Sequence, residues 1–172
     1  SDLTTDLVNA VNTGALVLNY AGHAGYNMWA AERIWDNRGF SNREDCELLT
    51  NTDRYPLVIS MSCLAGYFVY PEPWTTQRST NYHSLAEGFI RPADHGAVAA
   101  IMPTAMSATG GQHILNNAIF EEIFTNDRRL VGDALLQARL TLLANTGAAY
   151  QEISDTFLLF GDPATSLKLP VP

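Results

Sequence analysis

Pro56-Leu57-Val58-Ile59-Ser60-Met61-Ser62-Cys63-Leu64-Ala65-Gly66 is the stretch on which the fold turns. Leu57–Ser62 is a short, nearly continuous apolar run, the pattern of a strand buried on both faces of a parallel sheet. It ends abruptly in a cysteine followed by small residues. Upstream, Ala15-Leu16-Val17-Leu18-Asn19-Tyr20 has the same character and empties into Ala21-Gly22-His23-Ala24-Gly25. Downstream, Ala97-Val98-Ala99-Ala100-Ile101 is a third buried strand.

Helical patterns lie between these runs. Leu3, Leu7, Val8 and Val11 recur at helical spacing until Gly14 stops them. Ser41-Asn42-Arg43-Glu44 and Ser84-Leu85-Ala86-Glu87 are capping-box sequences, predicting one helix through Leu48 and Leu49 and another toward Arg91. Ile114 to Phe124 and Leu130 to Leu142 trace two further helix faces. Phe157–Phe160 and Ser166–Leu169 are candidate short strands around the Gly161-Asp162-Pro163 turn, and residues 66–81 read as a surface loop. Alternation of this kind predicts an α/β fold, with a parallel sheet, right-handed crossovers and helices on both faces.

The chain has 172 residues and 47% hydrophobic side chains, enough for one domain with a substantial core. Eighteen acidic against ten basic groups leave a net charge of −8, which disfavours sequence-independent binding to nucleic acid or an anionic membrane. No apolar run approaches the roughly 20 residues of a membrane span. The opening at Ser1-Asp2-Leu3 and the Leu169-Pro170-Val171-Pro172 end suggest a segment of a longer precursor. Residues 1–170 are expected to form the domain and 170–172 to begin a linker to other domains of that precursor.

In open parallel sheets, ligands bind beyond the carboxyl ends of the strands. That rule selects His23 and Cys63, each just past its own buried strand and each followed by small residues that let backbone N–H groups approach a substrate. A free cysteine titrates near about 8.5, and a cationic neighbour can bring it to roughly 3.5–7.5. The thiolate can then attack a carbonyl, with His23 protonating the leaving group and activating water. The Cys63 N–H and a backbone N–H just after His23, that of Ala24, are candidate oxyanion donors. A lone cysteine after an apolar strand is usually a small core residue, and a lone histidine beside glycines is often structural. Their occurrence at equivalent ends of successive strands favours function. His95-Gly96 precedes its strand and therefore lies at the opposite sheet edge. His83 and His113 fall at helix starts without a partner at metal spacing. Cys46 reads as a semi-buried structural thiol, no zinc cluster is present, and Gly110-Gly111 lacks the Lys-Ser/Thr of a phosphate loop.

Asn19-Tyr20-Ala21-Gly22-His23, Ser62-Cys63-Leu64-Ala65-Gly66 and Phe160-Gly161-Asp162-Pro163 resemble the gingipain family of cysteine peptidases, in the caspase-like clan with separase, legumain and clostripain. The resemblance runs in order along essentially the whole chain and includes Trp29 and Gly96-Ala97-Val98-Ala99. It implies a caspase-like three-layer fold with a mainly parallel sheet, peptide-bond hydrolysis through Cys63 and His23, a protein or peptide substrate, and secretion or surface display. It makes residues 1–170 the C-terminal part of a larger catalytic region, and it puts Ser62, Met106 and Ser107 near the substrate pocket.

The family has Gly after its histidine, where this chain has Ala24. The acid that supports the family's histidine, and the acidic determinant of its Arg-cleaving members, fall upstream of Ser1. No aromatic lid stands at Met106-Ser107-Ala108, so a preference for Arg or Lys is not expected from this segment. One branch of the family resembles a sortase-like transpeptidase of a secretion system, an alternative with the same thioester chemistry; a non-catalytic scaffold or binding module is another. Structural calcium occurs in such domains, but no loop here resembles a calcium motif, and no cofactor is expected.

Overall fold

The computed structural model describes residues 2–37, 43–69 and 83–169. The apolar runs form a four-stranded sheet in the order β1 (Val17–Ala21), β5 (Leu57–Met61), β6 (Ala99–Pro103), β7 (Phe157–Phe160). β1, β5 and β6 are parallel, and β7 is an antiparallel edge strand. The expectation of a parallel sheet therefore holds for three strands. β7 departs from it because two long helices, Thr109–Phe120 and Val131–Thr146, and the short helix α5 (Gln151–Thr156) lie between β6 and β7 and return the chain to the carboxyl end of the sheet, so that β7 starts beside the end of β6.

Every residue of β5 and β6 is buried, as their continuous apolar character requires. Alternate side chains serve two cores. Leu57, Ile59, Met61 and Ile101 pack against α3 (Thr109–Phe120), the π-turn that extends it (Glu121–Thr125), α4 (Val131–Thr146) and Ile153 of α5. Val58, Ala100 and Met102 face the other way, onto Val8 and Val11 of α1 (Leu3–Thr13), and onto Leu85, Ala86 and Phe89 of α2 (Leu85–Ile90). This is a three-layer arrangement of helices, sheet and helices.

α1 begins at Asp2, whose carboxylate accepts from the Thr5 N–H, and ends at Gly14. The capping box at Ser84 is made in full: Ser84 accepts from the Glu87 N–H while Glu87 accepts from the Ser84 N–H. The first capping-box expectation is corrected. Ser41 and Asn42 lie outside the described residues, and the chain beyond them makes a single 3-10 turn, Asp45–Leu48, whose cap residue Glu44 makes no side-chain cap bond. Asp45 explains the difference. Its buried carboxylate accepts from the Asp36 N–H at 2.7 Å and from Arg43 at 2.6 Å, which draws the segment inward instead of letting a helix propagate. Ser166–Leu169 likewise forms no strand, only an isolated bridge from Ser166 to Leu130. The loop expected over 66–81 is described only to Val69, and the linker expected from Pro170 lies outside the described residues.

Three two-residue strands were not expected. β2 (Ala24–Gly25), β3 (Met28–Trp29) and β4 (Trp35–Asp36) form a small antiparallel sheet directly after His23. Trp29 and Trp35 carry it into the second core beside Phe89.

Candidate active site

β1 and β5 are paired neighbours, with Ala21 opposite Met61, so the residues just past them emerge side by side at one sheet edge. His23 and Cys63 both line a cleft of about 400 Å³ there, together with Ala21, Gly22, Met61, Ser107, Thr109, Gln112, His113 and Asn116. His95 sits at the other end of β6, where its ring meets Asp94 and Glu47, as its position before the strand predicts.

The hydrogen-bond pattern fixes where the backbone donors point. Odd-numbered residues of β5 pair toward β1: Leu57 N–H donates to the Leu16 carbonyl and Gly22 N–H donates to the Met61 carbonyl. The next rung on that side belongs to Cys63. Its N–H has no carbonyl acceptor among the described residues, because the chain has left the sheet. Leu64 takes a left-handed backbone at φ 60°, a strained conformation of order 1–3 kcal/mol for a non-glycine residue. Two bonds hold the turn, from the Leu64 N–H to Ala105 and from the Gly66 N–H to Pro103. Gly66 has no room for a side chain: a Cβ there would stand 2.7 Å from the Phe160 ring and 3.2 Å from the Met102 carbonyl.

His23 is held by its main chain. Its carbonyl accepts from the Tyr20 hydroxyl at 2.6 Å and from the Ala30 N–H at 2.8 Å. Burial raises the Tyr20 phenol above its ordinary range, so the hydroxyl remains a donor. The Tyr20 ring stacks on Trp29 at 4.6 Å, and the Trp29 indole N–H donates to the buried Ser60 hydroxyl at 2.9 Å. The bond from Ala30 to His23 makes Ala24 and Trp29 the following, non-hydrogen-bonded pair of the antiparallel ladder. The Ala24 N–H therefore points away from β3.

The expected pocket residues divide. Ser107 lines the cleft, and its carbonyl lies 3.9 Å from the Cys63 sulfur, which donates to it. Ser62 does not line the cleft; its hydroxyl is buried against that of Ser60 at 2.8 Å. Met106 does not line it either and is 75% exposed. Sequence reading missed the wall contributed by α3, namely Thr109, Gln112, His113 and Asn116. The signal was available only in part: Gln112 is a polar residue on a helix position that turns inward, 7% exposed. Gly110 and Gly111 precede it because α3 seats tightly on Tyr150, whose ring stands within 3 Å of where a Gly111 Cβ would be. That packing is the reason for the glycine pair.

Cys46 is fully enclosed and accepts from the Trp35 indole N–H at 3.4 Å. Burial pushes its thiol up to about 12, so it is no rival nucleophile. Among the described residues no group of three or more histidine, cysteine or carboxylate side chains is placed to hold a metal, and no carboxylate lines the cleft.

Known proteins resemble this arrangement. Gingipain R2 of Porphyromonas gingivalis is 25% identical over 175 residues, across 97% of this chain and 22% of its own length. Gingipain R1 of the same species is 24% identical across 97% of this chain and 16% of its own length. The chain spans between 9% and 22% of the length of the curated gingipain relatives it matches. The crystal structure of the Arg-specific cysteine proteinase gingipain R superposes with a TM-score of 0.74 at 21% identity, over 95% of this chain and 36% of that one. A complex of the pro- and mature domains of RgpB from Porphyromonas gingivalis gives 0.73 at 23% identity, over 95% and 37%. These likenesses establish a gingipain-type, caspase-like fold. The model of Peptidase family C25 matches residues 1–168, nearly the entire chain, and the chain belongs to that family.

Proposed function

We propose that this chain supplies the nucleophile and the base of a secreted or surface cysteine endopeptidase that hydrolyses peptide bonds through a thioester. One observation carries the reading: His23 and Cys63, 40 residues apart in sequence, share one cleft at the carboxyl edge of a parallel sheet in a chain of Peptidase family C25. The remaining walls of the site, including the acid that orients His23, belong in this reading to other parts of the same polypeptide. The short span of the chain against its relatives supports that.

The chemistry balances with the groups at hand. The Cys63 thiolate forms a C–S bond to the substrate carbonyl carbon, and the carbonyl electron pair moves onto oxygen. In this reading the Cys63 and Ala24 N–H groups are that oxyanion's donors. Collapse breaks the C–N bond, and the amine leaves with a proton from the His23 imidazolium. His23 then accepts a proton from water as the water attacks the thioester. The acid departs and the thiolate returns.

The test is a peptidyl acyloxymethyl ketone library applied to the full-length protein, with the adduct located by mass spectrometry. Labelling is expected at Cys63 and is lost in His23→Ala. An adduct on Cys46, or none in either protein, overturns the assignment.

A further inference from the structure

The peptide that joins Ser62 to Cys63 is gripped from the far side. The Ser62 carbonyl accepts two hydrogen bonds, from the Gln112 side-chain amide at 2.9 Å and from the Ser107 hydroxyl at 3.0 Å. The second N–H of that amide meets the Ser107 hydroxyl at 2.6 Å, and the Ser107 carbonyl lies 3.3 Å from the same nitrogen. Two carbonyl oxygens around one amide group require its nitrogen, not its oxygen, to face them. Gln112 is nearly enclosed, so the grip is sheltered from water, and it comes from the second turn of a twelve-residue helix.

A trans peptide points its C=O and N–H in opposite directions, and no cis bond occurs among the described residues. Even-numbered residues of β5 turn their carbonyls toward β6, as in the bond from the Val98 N–H to Pro56. Ser62 continues that pattern toward β6 and α3, where Gln112 and Ser107 stand in for the missing strand. The Cys63 N–H must then point toward β1 and the His23 loop. We infer that Gln112, with Ser107, is the positioning element that locks the Ser62–Cys63 peptide so that the Cys63 N–H faces the substrate oxyanion.

This rests on the peptidase reading, and the test separates the two. Gln112→Met keeps the side chain's bulk and removes its donors; Ser107→Ala removes the other bond from a half-exposed site that tolerates truncation. Both are measured in the full-length protein by kcat and KM on a cleaved peptide, by the inhibition constant of a peptide aldehyde, and by the pH profile of Cys63 alkylation with iodoacetamide. The aldehyde forms a tetrahedral adduct with an oxyanion, whereas iodoacetamide is displaced without one. Loss of an oxyanion donor costs about 10²–10³ in kcat, and a misaligned one less. Gln112→Met is therefore expected to lower kcat by roughly 10–100-fold with KM within about twofold, to weaken the aldehyde by a similar factor, and to leave the alkylation profile unchanged. Ser107→Ala moves the same quantities in the same direction by less. Unchanged kcat and aldehyde binding in both variants overturn the inference. So does an alkylation rate that falls in step with kcat, because the pair would then act on the thiol or on folding. Turnover that survives Cys63→Ala overturns the peptidase reading itself, and the role of Gln112 with it.

Discussion

Cys63 leaves β5, which is paired on both sides and buried along its whole length, while His23 leaves β1, which among the described residues pairs with β5 and is half-buried or exposed. The turn after Cys63 is fixed by the core: Ala65 and Gly66 are buried, Gly66 lies against a backbone carbonyl and a ring, and α3 holds the preceding peptide. The loop at His23 is fixed by the small antiparallel sheet that follows it, which Trp29 and Trp35 anchor in the second core. A nucleophile and its oxyanion donor share a backbone and tolerate little displacement. In the proposed peptidase, a histidine that passes a proton between thiol, leaving group and water needs to reach three partners, and a less constrained mount suits that role.

The largest effects should erase that difference. Cys63→Ala and His23→Ala are each expected to lower kcat/KM on a cleaved peptide by at least about 10⁴-fold, with the double variant no worse than either, since residues acting as a unit do not add. Neither should shift thermal unfolding by more than about 0.5 kcal/mol, the usual range for substitutions away from packed or bonded groups. The Cys63 side chain makes one weak sulfur contact, and His23 is exposed and bound through its main chain. Additive losses in the double variant would show that the two side chains do not work on the same bond.

The two glycines sharpen the comparison. Gly66→Ala pushes a Cβ into the Phe160 ring and toward the Met102 carbonyl, and overpacking of this kind costs about 1–3 kcal/mol. Gly22→Ala meets only the hydroxyl end of Tyr20, at 2.6 Å, and that ring can give way. What is lost there is the bond from Tyr20 to the His23 carbonyl, worth about 0.5–1.5 kcal/mol. Gly66→Ala should therefore lower the melting temperature more, whereas Gly22→Ala should lower kcat out of proportion to its effect on melting. Equal destabilisation with unchanged kcat in Gly22→Ala would refute the view that the hairpin's main task is to hold His23.

Trp29→Phe probes one of the two anchors. It keeps a ring against Tyr20 and removes the donor to Ser60, whose hydroxyl remains bonded to Ser62. A loss of about 2–3 kcal/mol is expected by thermal unfolding, from the lost bond together with the cavity that the smaller ring leaves in a fully buried site. Much larger losses would mean that the hairpin and β5 are one cooperative unit.

The strands that carry His23 and Cys63 were legible because burial on both faces leaves a mark in every residue of Leu57–Met61, and because strand ends define a ligand edge whatever the family. His95 was placed correctly by the same logic. The direction of β7 was not legible, since an edge strand has the same side-chain pattern whether it runs parallel or antiparallel. The hairpin after His23 was missed because its strands are two residues long and alternation needs at least four to register. Gln112 was missed for a different reason. A buried glutamine reads as an interruption of a helix face until the carbonyl it serves, 50 residues away, is known.

The two cysteines close the comparison with the smallest effect. The Cys46 thiol is pushed up to about 12 by burial, against about 8.5 in an unfolded chain. Above pH 8.5 the unfolded state loses this proton while the folded state keeps it. The unfolded state then binds fewer protons, and stability falls as pH rises toward 12. Below pH 8 both states hold the proton and the group contributes no slope. Denaturant titrations of wild type and Cys46→Ala should therefore run parallel at pH 6–8, with the wild type declining more steeply from pH 9 upward. In the native protein at pH 8, iodoacetamide should modify Cys63 and leave Cys46 untouched until denaturant is added. Modification of Cys46 at the same rate as Cys63 would mean that the second core opens as readily as the cleft, and the contrast between the mounts of Cys63 and His23 would lose its physical ground.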